Sequence, residues 1–108
     1  QKNYAPDDPE LGTRYSNLAM ILKRQGDLKG AREQMEKAIA IDQKNYAPDH
    51  PGLGTDHSNL ALILQGQGDL KGAREQIEKA IAIGQKNYVA FVSSISSGSS
   101  ARPERKSL

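Results

Sequence analysis

Cysteine is absent from the 108 residues. Neither a disulfide framework nor a thiolate metal site can therefore hold this chain together. No apolar run approaches the ~20 residues that cross a bilayer as a helix. No signal-peptide pattern opens the sequence, and no Asn-x-Ser/Thr acceptor occurs. These absences agree with a reducing, cytoplasmic setting and with no membrane role. A strong charge of one sign is also lacking: the net charge is +2. Residues 1–84 are near neutral, and the positive excess falls after Gly84. A nucleic-acid-binding body would normally carry a basic stripe, so nucleic acid is not an expected partner. At this length the chain is one small domain with a core of marginal size.

What the chain does have is a repeat. Residues 1–42 and 43–84 align without a gap and differ at nine positions. A third copy begins QKNY at Gln85 and then breaks off into VAFVSSISSGSSARPERKSL. A fixed period of this length marks a stacked array, in which each unit buries its apolar face against the next. It points to binding rather than catalysis.

Within each unit two helices are expected. Leu11, Tyr15, Leu18 and Leu22 fall at helical spacing and define a first helix over about 9–25. Pro9 suits its first turn, and Asp7 or Asp8 can cap it. Gly26 can take the left-handed stop, and Asp27 can cap the second helix. Leu28, Ala31, Met35, Ala38 and Ile39 give that helix its stripe, over about 28–46. The second unit repeats the pattern at about 51–67 and 70–88, with an extension conceivable to Val92. Residues 1–8 read as the remnant of a preceding repeat, and 9–50 and 51–92 as the two repeats. Residues 93–108 read as a flexible basic tail, because SSISSGSS has a linker composition and ARPERKSL is polar. The expected buried set is Leu18, Leu22, Ala31, Met35 and Ala38, with Leu60, Leu64, Ala73, Ile77 and Ala80.

These residues resemble a tetratricopeptide repeat. Leu18-Ala19, Leu22, Gly26, Ala31, Met35 and Ala38 stand at that family's spacing, and Leu60-Ala61, Leu64, Gly68, Ala73, Ile77 and Ala80 repeat it. The period is longer than the usual one and the proline after the second helix is replaced by Gln43, which is similar to the 42-residue variant of kinesin light chains. The resemblance implies an all-α, right-handed solenoid of two helix-turn-helix units. It also implies that the first helix of each unit lines a concave groove for peptides or proteins.

A helical wheel at ~100° per residue places the groove independently. Thr13, Ser16, Met20, Lys23 and Arg24 lie opposite the apolar stripe, and Asn17 is beside them. Thr55, Ser58, Asn59, Leu62 and Gln65 follow in the second unit. Three of the nine differences fall on this face: Met20/Leu62, Lys23/Gln65 and Arg24/Gly66. A groove of this character suits an acidic segment with apolar anchors. The family's carboxylate clamp for chaperone termini needs asparagine where Met20 and Leu62 stand, so that mode is not expected.

No catalytic or cofactor constellation is evident. Asp56, His57 and Ser58 are consecutive, and consecutive helical residues point ~100° apart, too far for a relay. His57 takes the core position of Tyr15. His50, His57 and Asp49 lack a fourth metal ligand. Gly66-x-Gly68 has no preceding strand and no Gly-Lys-Ser/Thr, so it is no phosphate loop. A non-catalytic interaction scaffold is the first expectation. The second is a self-assembling unit, joined head to tail or by swapping through its uncovered ends, as a piece of a longer array or a consensus-like sequence.

Overall fold

In the computed structural model residues 5–98 are described. They form four helices: α1 (Pro9–Arg24), α2 (Leu28–Asn45), α3 (Pro51–Gly66) and α4 (Leu70–Gly98). There is no strand among the described residues. Two hairpins, α1–α2 and α3–α4, stack through the α2–α3 interface.

Local chemistry sets the boundaries. Asp8 caps α1 by accepting the Glu10 amide at 2.8 Å, with Pro9 in the first turn. Asp27 and Asp69 cap α2 and α4, accepting the amides of Gly30 at 2.9 Å and Gly72 at 2.8 Å. Between the helices of each hairpin, Gly26 and Gly68 have φ of 88° and 85°. That left-handed backbone is open to glycine and strained for other residues. It allows the Asp27 amide to reach back to the Leu22 carbonyl and the Asp69 amide to Leu64, each at 2.9 Å, closing the exposed helix ends. The far end of each hairpin is tied by asparagine. Asn45 Nδ2 donates to the Asp7 carbonyl and Asn87 Nδ2 to the Asp49 carbonyl, both at 2.8 Å.

The core is Ala19, Ala31, Met35, Ala38, Ile39, Leu60, Ile63 and Leu64, with Tyr15, Leu22, Met20 and Ala73 packed around it. Full burial of a side chain such as Met35 or Ile63 contributes about 1.5–3 kcal/mol. Three members of the expected buried set fall outside it: Ala80 is half-buried, and two are exposed. Leu18 is 41% exposed and Ile77 38% exposed. The reason is position in the stack. Leu60, the twin of Leu18, lies under α2, whereas nothing among the described residues covers Leu18. Met35, the twin of Ile77, lies under α3, whereas the same face of α4 is bare.

The sequence reading of a flexible tail from residue 93 is corrected for its first part. Ser93–Gly98 continues α4, so the last helix runs 29 residues. Val89–Ile95 therefore extends the helix and does not fold back over the end of the stack. Serine is a tolerable helix residue when no turn signal interrupts it, and α4 meets none before Gly98. The reading of residues 1–4 as repeat remnant and of 99–108 as tail lies outside the described residues.

Candidate ligand groove

The first helices of the two repeats carry all eleven residues read as groove-lining, and the structure sorts them into separate surroundings. Thr13, Ser16 and Asn17 of α1 meet Thr55 and Asp56 of α3 and Asp42 and Tyr46 of the α2 end around a cavity of about 260 Å³. Asn17, Met20, Lys23 and Arg24 line a second cavity of about 460 Å³, together with Ile21. Asn17 borders both, so the two cavities adjoin along α1. Met20 is only half exposed, because its thioether also leans on the core.

The second-repeat residues are not gathered in the same way. Leu62 and Gln65 open onto a cavity of about 270 Å³ walled by α4. Ser58 borders another of about 360 Å³ with Ile83, Gly84 and Asn87. Asn59 is half-buried. Among the described residues no further helix covers them.

The junction cavity holds a feature that the sequence reading missed. Asp42 and Asp56 are 8% and 5% exposed, and their carboxyls meet where the repeats join. Asp42 lies flat on α1: a Cβ on Gly12 would stand 2.6 Å from its Oδ1. Asp56 Oδ2 is sealed from water and accepts no hydrogen bond from a protein donor. Burial, then the hydrogen bond and charge of Asp42, push the Asp56 carboxyl up to about 8. The α1 wall offers hydroxyls and an amide but no charge, and Tyr46 is the other titratable group facing the pair. A signal was present in the sequence. Arg14/Asp56 and Asp42/Gly84 are two of the nine differences between repeats, and stacking brings those two positions into contact.

A pH dependence follows. Below about pH 4 Asp56 is protonated whether the chain is folded or not. Between about 4 and 8 the unfolded chain releases a proton that the folded chain keeps, so stability falls as pH rises, by on the order of a few kcal/mol. Above about 8 the loss is complete. Asp56→Asn should flatten this slope, matching the parent in acid and exceeding it in mild alkali. Urea midpoints across that range measure it; parallel curves for parent and variant would refute it.

The histidines have structural roles. His50 caps α3 by accepting the Gly52 amide at 2.9 Å on Nδ1, and stacks on Tyr46 at 4.0 Å between ring centres. His57 is 8% exposed, and its Nδ1–H donates to Gln76 Oε1 at 2.7 Å. Among the described residues no group of three or more His, Cys, Asp or Glu could hold a metal, and no helix is long and apolar enough to cross a membrane.

Two stacked helical hairpins define a helical-repeat protein. The family model for the tetratricopeptide repeat matches residues 2–86, and the chain belongs to that family. Its repeats are typically non-catalytic modules that bind proteins or peptides. No curated protein matches the chain.

Proposed function

We propose that this chain is a non-catalytic scaffold that holds a polypeptide segment along α1. The observation that carries the reading is the pair of cavities that adjoin at Asn17, lined between them by every α1 residue expected on that face and by Thr55 of α3. At its far end Lys23 and Arg24 stand beside Met20 and the 52%-exposed Ile21. That pairing of cation and apolar surface favours a ligand with an acidic residue next to an apolar anchor. Peptides selected from a displayed random library against the intact chain supply the probe. Lys23→Glu combined with Arg24→Glu should weaken them by up to about fivefold, since exposed charge pairs contribute ~1 kcal/mol or less. Helix content should not change. Unaltered affinity in the double variant sinks the reading.

A second reading, self-association through the ends, has its own observation. The internal interface buries Met35 (0% exposed) and Ile39 (8%) of α2 against Leu60 (5%) and Ile63 (0%) of α3. The same positions at the two ends are bare: Ile77 and Ile81 on α4 are 38% and 53% exposed, and Leu18 and Ile21 on α1 are 41% and 52% exposed. The α4 face of one copy thus has the chemistry that α2 uses to hold α3. The α1 face of another copy has the chemistry that α3 presents. The occupant that fits both is a second copy, stacked head to tail.

A further inference from the structure

We infer that the junction cavity floored by Asp42 and Asp56 takes a cationic side chain, the ammonium of a lysine or the guanidinium of an arginine in a bound segment. This rests on the reading of the α1 depression as a ligand groove, and it names what one end of that groove recognises.

The site is built rather than incidental. Asp56 is 5% exposed and its Oδ2 accepts no hydrogen bond from a protein donor. Asp42 is pinned beside it over Gly12. The hydroxyls of Thr13, Ser16 and Thr55 line the mouth. No basic side chain is in the wall, and about 260 Å³ is open. A buried carboxyl pair left to itself must share a proton, because two like charges at contact cannot both ionise cheaply. A cation removes that conflict by replacing the proton. A guanidinium does so with a planar fork that matches two carboxylate oxygens, and its outer N–H groups can donate to the hydroxyls.

The chain's own repeat says which chemistry the position accommodates. The residue of repeat 1 equivalent to Asp56 is Arg14. A unit bearing arginine there, stacked as α3 is on α2, would set a guanidinium against Asp42. In this chain the arginine is replaced by a second carboxylate, so the junction keeps the acceptor and lacks the cation. A side chain arriving from a ligand would supply it. With Lys23 and Arg24 lining the adjoining cavity, the preferred segment carries a basic residue at one end and an acidic one at the other.

Binding of this kind releases a proton, because Asp56 holds one to about pH 8. Carbon NMR of the aspartate carboxyls in the full chain reads it directly. The probe is N-acetyl-arginine amide, with N-acetyl-norleucine amide as the neutral control and calcium chloride as the inorganic arm. The arginine probe should lower the Asp56 midpoint by about 1–3 units, and the norleucine probe should not move it. Asp56→Asn should be silent to the probe. Asp56→Arg, which restores the repeat-1 residue, should fill the site from within, abolish the response and raise the melting temperature more in mild alkali than in acid. An Asp56 midpoint unmoved by arginine in the folded chain overturns the inference. So does a midpoint moved equally by norleucine, or by calcium alone. Library peptides that shift Met20 and Lys23 without disturbing Asp56 leave the groove standing and remove this end of it.

Discussion

Ile63→Ala should cost about 2–5 kcal/mol, while Ile21→Ala, the same change at the same place in the other repeat, should cost under ~1 kcal/mol. Ile63 is fully buried between α2 and the α3–α4 hairpin, and its loss leaves a cavity in the main interface that joins the repeats among the described residues. Ile21 is 52% exposed and leaves little behind. The comparison is stringent because residue type and helix position are shared, and the nearest sequence differences, Met20/Leu62, Lys23/Gln65 and Arg24/Gly66, are few. The main difference is stacking. Against a total stability of roughly 5–15 kcal/mol, the first variant should melt far below the parent and the second close to it. Denaturant unfolding at low protein concentration is the measurement. Equal losses would mean that the α1 end is covered, or that the repeats do not pack through α2 and α3.

That contrast also shows where the sequence was legible. Features set within a few residues could be read before the structure. Asp8 and Asp27 cap helices, and Gly26 closes the hairpin, because each acts on backbone groups two to five positions away. The apolar stripes gave the hairpins for the same reason. Burial was not legible at the ends. Leu18 and Leu60 stand in nearly the same local sequence and differ in exposure by 41% against 5%, since a neighbouring repeat covers only one. The helical wheel placed Thr13, Ser16, Met20, Lys23 and Arg24 on one face of α1, and these residues line the two cavities beside it. Their counterparts Ser58, Leu62 and Gln65 were placed on the correct helix, but they face an open end. The Asp42–Asp56 pair was visible only as two unexplained differences between repeats. Its chemistry appears when α2 and α3 stack. The helical Ser93–Gly98 segment was masked by its composition, which resembles a linker.

Charging either end should abolish self-association, and mixing the two charged variants should restore it in part. Ile21→Glu places a carboxylate on the α1 face and leaves the α4 face intact. Ile81→Glu does the reverse; both residues are about half exposed, so each variant should keep the parent's helix content. In a head-to-tail stack every contact joins an α4 face to an α1 face, so each variant alone should sediment as a monomer at concentrations where the parent assembles. An equimolar mixture has one complementary pair of faces, the α4 face of the Ile21→Glu chain and the α1 face of the Ile81→Glu chain. It should form dimers and nothing larger, because both outer faces of that dimer are charged. A symmetric contact between two α4 faces predicts otherwise: Ile81→Glu alone would disrupt it, and Ile21→Glu would assemble like the parent. Sedimentation velocity on the two variants and their mixture separates these arrangements, and a parent chain that stays monomeric throughout would remove both.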